Sequence, residues 1–199
     1  LDGKAIHVGH YLEPRLVYTT DGYLTAPTAV EGRRTMHIGI DLFAPDGRAV
    51  HAPLAGEVVT AIDRANPQDY GGTVVLRHTT DNGDAFFTLY GHLDPASITG
   101  LKPGNRVDPG EQFATLGASA VNGGWQPHLH FQLAMCLPDG ETASVDDWPG
   151  VSDADDLAYF SALYPNPADL LGLAPEKLIY DAADTDSLIE ARKHRFGAN

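Results

Sequence analysis

Cysteine is almost missing from this chain: Cys136 is its single instance. One thiol excludes an internal disulfide and any cysteine-based metal cluster. Long hydrophobic runs are absent too, so no stretch reads as a membrane span. Positive charge is scarce, with 13 Lys and Arg against 27 Asp and Glu and a formal net charge of −14. That balance argues against nucleic acid or an anionic membrane as a partner for the surface as a whole. There is no solenoid repeat and no low-complexity tract. The chain opens at Leu1 with no charged-then-apolar leader, and is expected to be a processed or excised piece whose compartment the missing leader does not reveal. What is present is 199 residues, 43% of them hydrophobic, enough for one ordinary domain with a real core. The compositional oddity is nine histidines.

Three parts are expected. Residues 1–26 are a mixed N-terminal extension holding Tyr11, Tyr18 and Tyr23. Residues 27–135 are dense in glycine and β-branched residues. Turn dipeptides Asp46-Gly47, Asn82-Gly83, Pro103-Gly104 and Pro109-Gly110 separate short apolar runs over 56–62, 73–78, 85–90, 112–116 and 128–135. Short strands with frequent turns predict a mainly β domain built from hairpins. Residues 136–199 turn acidic and proline-rich and then helix-like. Ser187 and Glu190 suit a capping box for a helix over 188–195.

Four places in the β region carry chemistry. In His37-Ile38-Gly39-Ile40-Asp41, strand alternation puts His37 and Asp41 on one side. A straight strand would separate them by ~13 Å. Either the chain bends at Gly39, or His37 lies on the preceding loop. In His128-Leu129-His130-Phe131, the two imidazoles share a face about 6.6 Å apart, with Leu129 and Phe131 behind them. His92 closes the apolar run 85–90, and the loop 122–127 leads straight into the His128/His130 pair. Singly these patterns mean little, and His7, His10, His51 and His194 read as ordinary surface or core imidazoles. His78 is a candidate for an outer position around the site. Together, His37, Asp41, His92, His128 and His130 supply two imidazoles and a carboxylate for Zn²⁺ with a position left for water. Two further imidazoles remain for proton transfer and oxyanion stabilisation.

Order and spacing of these segments resemble the lysostaphin/LytM-type zinc metalloendopeptidases. The resemblance runs from about Met36 to Leu133, through 52–59, 71–78, Leu89-Tyr-Gly-His-Leu93, 101–107 and Pro127-His-Leu-His-Phe-Gln132. It implies Zn²⁺ held by His37, Asp41 and His130, with His92 and His128 as the catalytic pair. It also implies a compact antiparallel β sandwich or barrel-like hybrid of the duplicated hybrid motif type, with short helices in the C-terminal tail. The implied substrates are peptides with Gly or D-Ala at the cleaved bond, peptidoglycan-derived ones among them. Two positions depart from the family pattern: Gln126 stands where Gly is usual and Gln132 where Glu is usual. The net negative charge sits awkwardly with an anionic cell wall.

Residues 166–172 and 188–199 resemble the junction into a class III aminotransferase, as in bacterial fusions of kinase-like, metallopeptidase-like and aminotransferase segments. That reading expects covalently linked neighbouring domains and a cytoplasmic setting; otherwise a periplasmic or extracellular one follows. Two alternatives come from other classes. One is a zinc-binding domain that no longer cleaves and organises its neighbours in a larger enzyme. The other is a biotinyl/lipoyl-like carrier, which needs an exposed hairpin-tip lysine. Lys102 is the one lysine in the β region, and Pro103 flanks it.

Overall fold

The computed structural model describes residues 6–18, 21–24, 32–137, 148–178 and 190. The strands, in chain order, are β1 (His7–Gly9), β2 (Glu13–Pro14), β3 (Met36–His37), β4 (Ile40–Phe43), β5 (Ala49–His51) and β6 (Gly56–Arg64). They continue as β7 (Gly71–Thr79), β8 (Ala85–Leu93), β9 (Arg106–Val107), β10 (Gln112–Thr115), β11 (His128–Ala134) and β12 (Val151–Ser152). Two short helices, α1 (Pro95–Ile98) and α2 (Leu157–Leu163), accompany them. The expected mainly β, antiparallel architecture is what forms. The helix expected over 188–195 falls, apart from Glu190, outside the described residues.

Seven strands make one antiparallel sheet in the order β1-β4-β11-β8-β7-β6-β9. A two-stranded ribbon pairs β10 with β5, and a three-stranded sheet runs β12-β3-β2. The turn dipeptides work as turns because their glycines take left-handed angles, with φ of +73° at Gly47, +90° at Gly83, +86° at Gly104 and +78° at Gly110.

The central strands are buried on both faces, so their side chains divide between two cores by strand alternation. Val74, Leu76, Tyr90, Leu129 and Phe131 enter one core with Ile40, Val50 and Phe113. Val75, Phe87, Leu89 and Ala134 enter the other with Ile38, Tyr70, Trp148 and Tyr164. Trp148 lies edge-on to Phe87, with ring centroids 6.3 Å apart. The residues around Trp148 and Tyr164 thereby cover the second face. The Tyr11 hydroxyl donates to the Tyr164 carbonyl at 2.6 Å and ties the N-terminal segment to this cover.

The same alternation decides where the polar residues go. On β11, Leu129 and Phe131 point into the first core, which turns His128, His130 and Gln132 to the opposite face. On β4, Ile40 points into the first core, which turns Asp41 to that same opposite face. His130 stands opposite Asp41 in the β11–β4 register and opposite Gly91 in the β11–β8 register.

Candidate metal centre

His37 and Asp41 come together because the chain leaves β3 and bends at Gly39 before entering β4. His37 therefore belongs to the three-stranded sheet and Asp41 to the seven-stranded one. The bend needs a residue without a side chain. A Cβ at Gly39 would lie 2.7 Å from His130 Cε1 and 2.9 Å from the Phe131 carbonyl oxygen.

His92 is aimed by a different device. Between the Gly72–Leu93 and Val74–Tyr90 pairs, two residues of β8, Gly91 and His92, oppose the single Thr73 of β7. This bulge puts His92 at φ +62°, a left-handed angle unusual for a residue with a side chain. It turns the ring beside the His128 ring, with centroids 4.3 Å apart.

Three donor atoms converge. His37 Nε2 lies 2.9 Å from His130 Nδ1 and 3.3 Å from Asp41 Oδ1, and His130 Nδ1 lies 3.2 Å from the same oxygen. All three residues are buried. Their outer contacts settle the protons. His37 Nδ1 faces the His10 carbonyl at 3.2 Å, and a carbonyl can only accept, so Nδ1 carries the hydrogen. The Gln132 amide nitrogen donates to the Pro149 carbonyl at 3.1 Å, which turns its Oε1 toward His130 Nε2 at 3.1 Å and makes that nitrogen the donor. Both facing nitrogens are therefore bare lone pairs directed at each other and at a carboxylate oxygen.

Such a cluster calls for a cation. A tetrahedral Zn²⁺ with bonds of about 2.0–2.1 Å to nitrogen and oxygen has ligand atoms roughly 3.3 Å apart, which the observed triangle nearly matches. The donor set of two imidazoles and one carboxylate suits the same ion. The residues present fit zinc.

Electrostatics agree. Burial opposes ionisation of Asp41, but the Arg15 guanidinium bound to its Oδ2 holds its carboxyl well below the ordinary carboxylate range. Burial, reinforced by Arg15, pushes His37 down to about 4. His92 is lowered well below its ordinary value by burial and by the neighbouring His128 and His130. His128 is lowered by burial against the pull of Asp41. At neutral pH these three imidazoles are uncharged.

His92 Nδ1 donates to the Asn122 carbonyl at 2.9 Å, and His128 Nδ1 to the Gln126 carbonyl at 2.6 Å. In each ring Nε2 is left as the acceptor. His128 Nε2 lies 3.6 Å from Asp41 Oδ2, and Phe43 stacks on the His128 ring at 4.9 Å. Both rings line a groove of about 1240 Å³ that includes the three converging residues. Tyr18, Tyr23, Arg34, Asp69 and Trp125 form part of its walls.

All five residues singled out in the sequence thus meet in one groove. His78 does not join them; it donates from Nδ1 to the Ala55 carbonyl at 2.7 Å, and its Nε2 meets the Thr88 hydroxyl at 2.7 Å. Four contributors have no signature in the sequence. These are Arg15, the His10 and Asn122 carbonyls, and Tyr70, whose ring lies 5.2 Å from that of His130. Gln132 stood out as a departure from the family pattern, but its bond to His130 becomes visible only in the fold.

The profile of peptidase family M23 matches residues 35–143. The chain is 31% identical over 113 residues to the cell division protein DipM of Caulobacter vibrioides, covering 56% of this chain and 17% of that protein. It is 36% identical over 161 residues to the DD-carboxypeptidase/endopeptidase Mpg of Neisseria meningitidis serogroup B, covering 73% of this chain and 34% of Mpg. The chain thus spans about a third of Mpg and less than a fifth of DipM. Among solved structures it is similar in fold to LytU, at 22% identity and a TM-score of 0.50, over 89% of this chain and 94% of that one.

Proposed function

This chain belongs to peptidase family M23, and from that membership we propose that it is a zinc-dependent endopeptidase. Its substrates are Gly- or D-Ala-containing peptides of the kind that cross-link peptidoglycan. The observation that carries the reading is the triangle of unprotonated donor atoms on His37, Asp41 and His130, with two neutral imidazoles beside it. The relative Mpg, a DD-carboxypeptidase/endopeptidase, supports the same choice.

His37, Asp41 and His130 hold the ion. Bound there, Zn²⁺ supplies Lewis acidity, polarising a carbonyl and acidifying a water. His92 and His128 are the general acid–base pair. Each has its Nδ1 proton committed to a backbone carbonyl, so each can take a proton at Nε2. One accepts the proton of the attacking water. The resulting imidazolium stabilises negative charge on the substrate oxygen and then returns the proton to the departing amine. The depressed proton affinities of both rings make that return favourable. The groove walls orient the peptide across the pair, and Trp125 offers an apolar face there.

The test is metal content and cleavage measured on one preparation. Wild type is compared with His130→Ala and His128→Ala on Gly-rich and D-Ala-containing cross-link peptides. We expect one equivalent of zinc and cleavage in wild type, loss of both in His130→Ala, and retained zinc with turnover down about a hundredfold or more in His128→Ala. Zinc without cleavage in wild type would refute the peptidase reading. It would favour a non-cleaving zinc domain that organises covalently linked neighbours in a larger cytoplasmic enzyme.

A further inference from the structure

The candidate metal centre is enclosed on one side by residues 7–15, which lie outside the stretch matched by the family profile. This strap touches two of the three proposed ligands. Its His10 carbonyl holds His37 Nδ1 at 3.2 Å. Its Arg15 Nη1 donates to Asp41 Oδ2 at 2.6 Å. We propose that Arg15 is a positioning residue of the metal centre: by occupying Oδ2 of Asp41 it leaves Oδ1 as the single oxygen offered to the ion, which selects a four-coordinate, zinc-type site. The inference rests on the metallopeptidase reading above.

Arg15 is itself held in place. Its Nε and Nη2 donate to Glu13 Oε2 at 2.9 and 2.6 Å, so the guanidinium fork spans two carboxylates. The Tyr18 hydroxyl lies 3.4 Å from Nη1. The Arg15 amide donates to the Thr35 carbonyl and the Leu12 amide to the His37 carbonyl, each at 2.8 Å, which anchors the strap along β3. Room for the fork comes from Gly9, the residue paired with Asp41 across β1 and β4. A Cβ there would lie 3.0 Å from Arg15 Nη2 and 3.2 Å from Asp41 Cβ.

The physical consequence is a choice of denticity. Asp41 is 1% exposed, so water is a poor substitute for a lost Oδ2 partner. A carboxylate with both oxygens available can chelate one ion, the mode favoured by larger, oxygen-seeking cations. A carboxylate with one oxygen tied to a guanidinium binds through the other, the mode that suits tetrahedral zinc. Arginine is required because its planar fork reaches both Glu13 and Asp41 in fixed geometry, which an ammonium cannot reproduce. Outer contacts of this kind typically change metal affinity by about 10–100-fold.

The test uses the full chain in wild-type, Arg15→Ala, Arg15→Lys and Gly9→Ala forms. Zn²⁺ and Mn²⁺ affinities are measured by competition with a chromophoric chelator, and Co²⁺ is substituted to read coordination from its visible spectrum. In wild type, Co²⁺ should show the intense absorption of a four-coordinate site. In Arg15→Ala, that absorption should give way to the weak bands of higher coordination. Zinc affinity should fall about 10–100-fold, and Mn²⁺ affinity should rise relative to zinc. Arg15→Lys should lie between the two. Should Arg15→Ala fail to melt cooperatively, Arg15→Lys and Gly9→Ala carry the same test, since Gly9→Ala displaces the fork without removing its charge. A wild-type cobalt spectrum with zinc affinity within about twofold in the folded variants would overturn the role of Arg15 and leave the peptidase reading intact. Failure of the wild-type protein itself to bind zinc would instead remove the reading on which this inference rests.

Discussion

Gly39 has no side chain at a point where a methyl group would strike the candidate site. In Gly39→Ala the new Cβ would lie 2.7 Å from His130 Cε1 and 2.9 Å from His130 Nε2, against the 3.4 Å at which ordinary contact begins. Restoring 3.4 Å from 2.7 Å means moving the imidazole by about 0.7 Å, several times the ~0.2 Å tolerance of a metal–ligand distance. The Phe131 carbonyl oxygen, 2.9 Å from the same point, stands in the way of a backbone escape, because β11 pairs with β4 at this level. His130 therefore yields, and its bond to Gln132 is disturbed with it. We expect the substitution to lower zinc affinity about a hundredfold and to cost the apo fold about 1–3 kcal/mol, the usual penalty of overpacking. A chelator-competition titration reads the first quantity, and urea unfolding of the metal-free protein reads the second. A Gly39→Ala protein that binds zinc within about twofold of wild type and unfolds at the same midpoint would refute the packing on which the candidate metal site is built.

Two further outcomes are expected. Gln132→Glu keeps an acceptor for His130 Nε2 but loses the donor to the Pro149 carbonyl, 3.1 Å away. Zinc should bind several-fold more tightly, because a carboxylate raises the basicity of the ligating imidazole. The apo protein should lose about 1–3 kcal/mol for the unmade bond, and unchanged values in both titrations would contradict the assigned protons. His78 is buried and lowered below its ordinary value by that burial. Its folded-state pKa lies below its unfolded one, so the unfolded chain binds more protons between the two values. Stability from this residue is complete above about pH 6.5 and is lost as the pH falls toward the depressed value. Urea midpoints at pH 7 and pH 5 should drop further in wild type than in His78→Asn, which keeps a donor near the Ala55 carbonyl; equal drops would count against it.

Much of the β framework could be read from the chain because local rules govern it. The apolar runs at 56–62, 73–78, 85–90, 112–116 and 128–135 lie within or largely coincide with β6, β7, β8, β10 and β11. The Gly dipeptides between them turn where glycine can take a left-handed angle. The shared face of His128 and His130 also follows from strand period alone, since Leu129 and Phe131 must enter the core.

Other features depend on contacts between distant segments, which no local pattern encodes. Arg15 meets Asp41 across 26 positions of chain, and nothing near residue 15 marks it as a neighbour of the candidate metal centre. The carbonyls of His10 and Asn122 matter through backbone atoms, which every residue possesses. The bulge that turns His92 into the groove arises from unequal pairing of β7 and β8 rather than from the residue itself. Residue types and their spacing thus determined which side chains could bind a metal or move a proton. The tertiary structure alone decided which nitrogen of His37 and of His92 faces the site, because the proton on the other nitrogen is held by a backbone carbonyl 27 residues away at His10 and 30 residues away at Asn122.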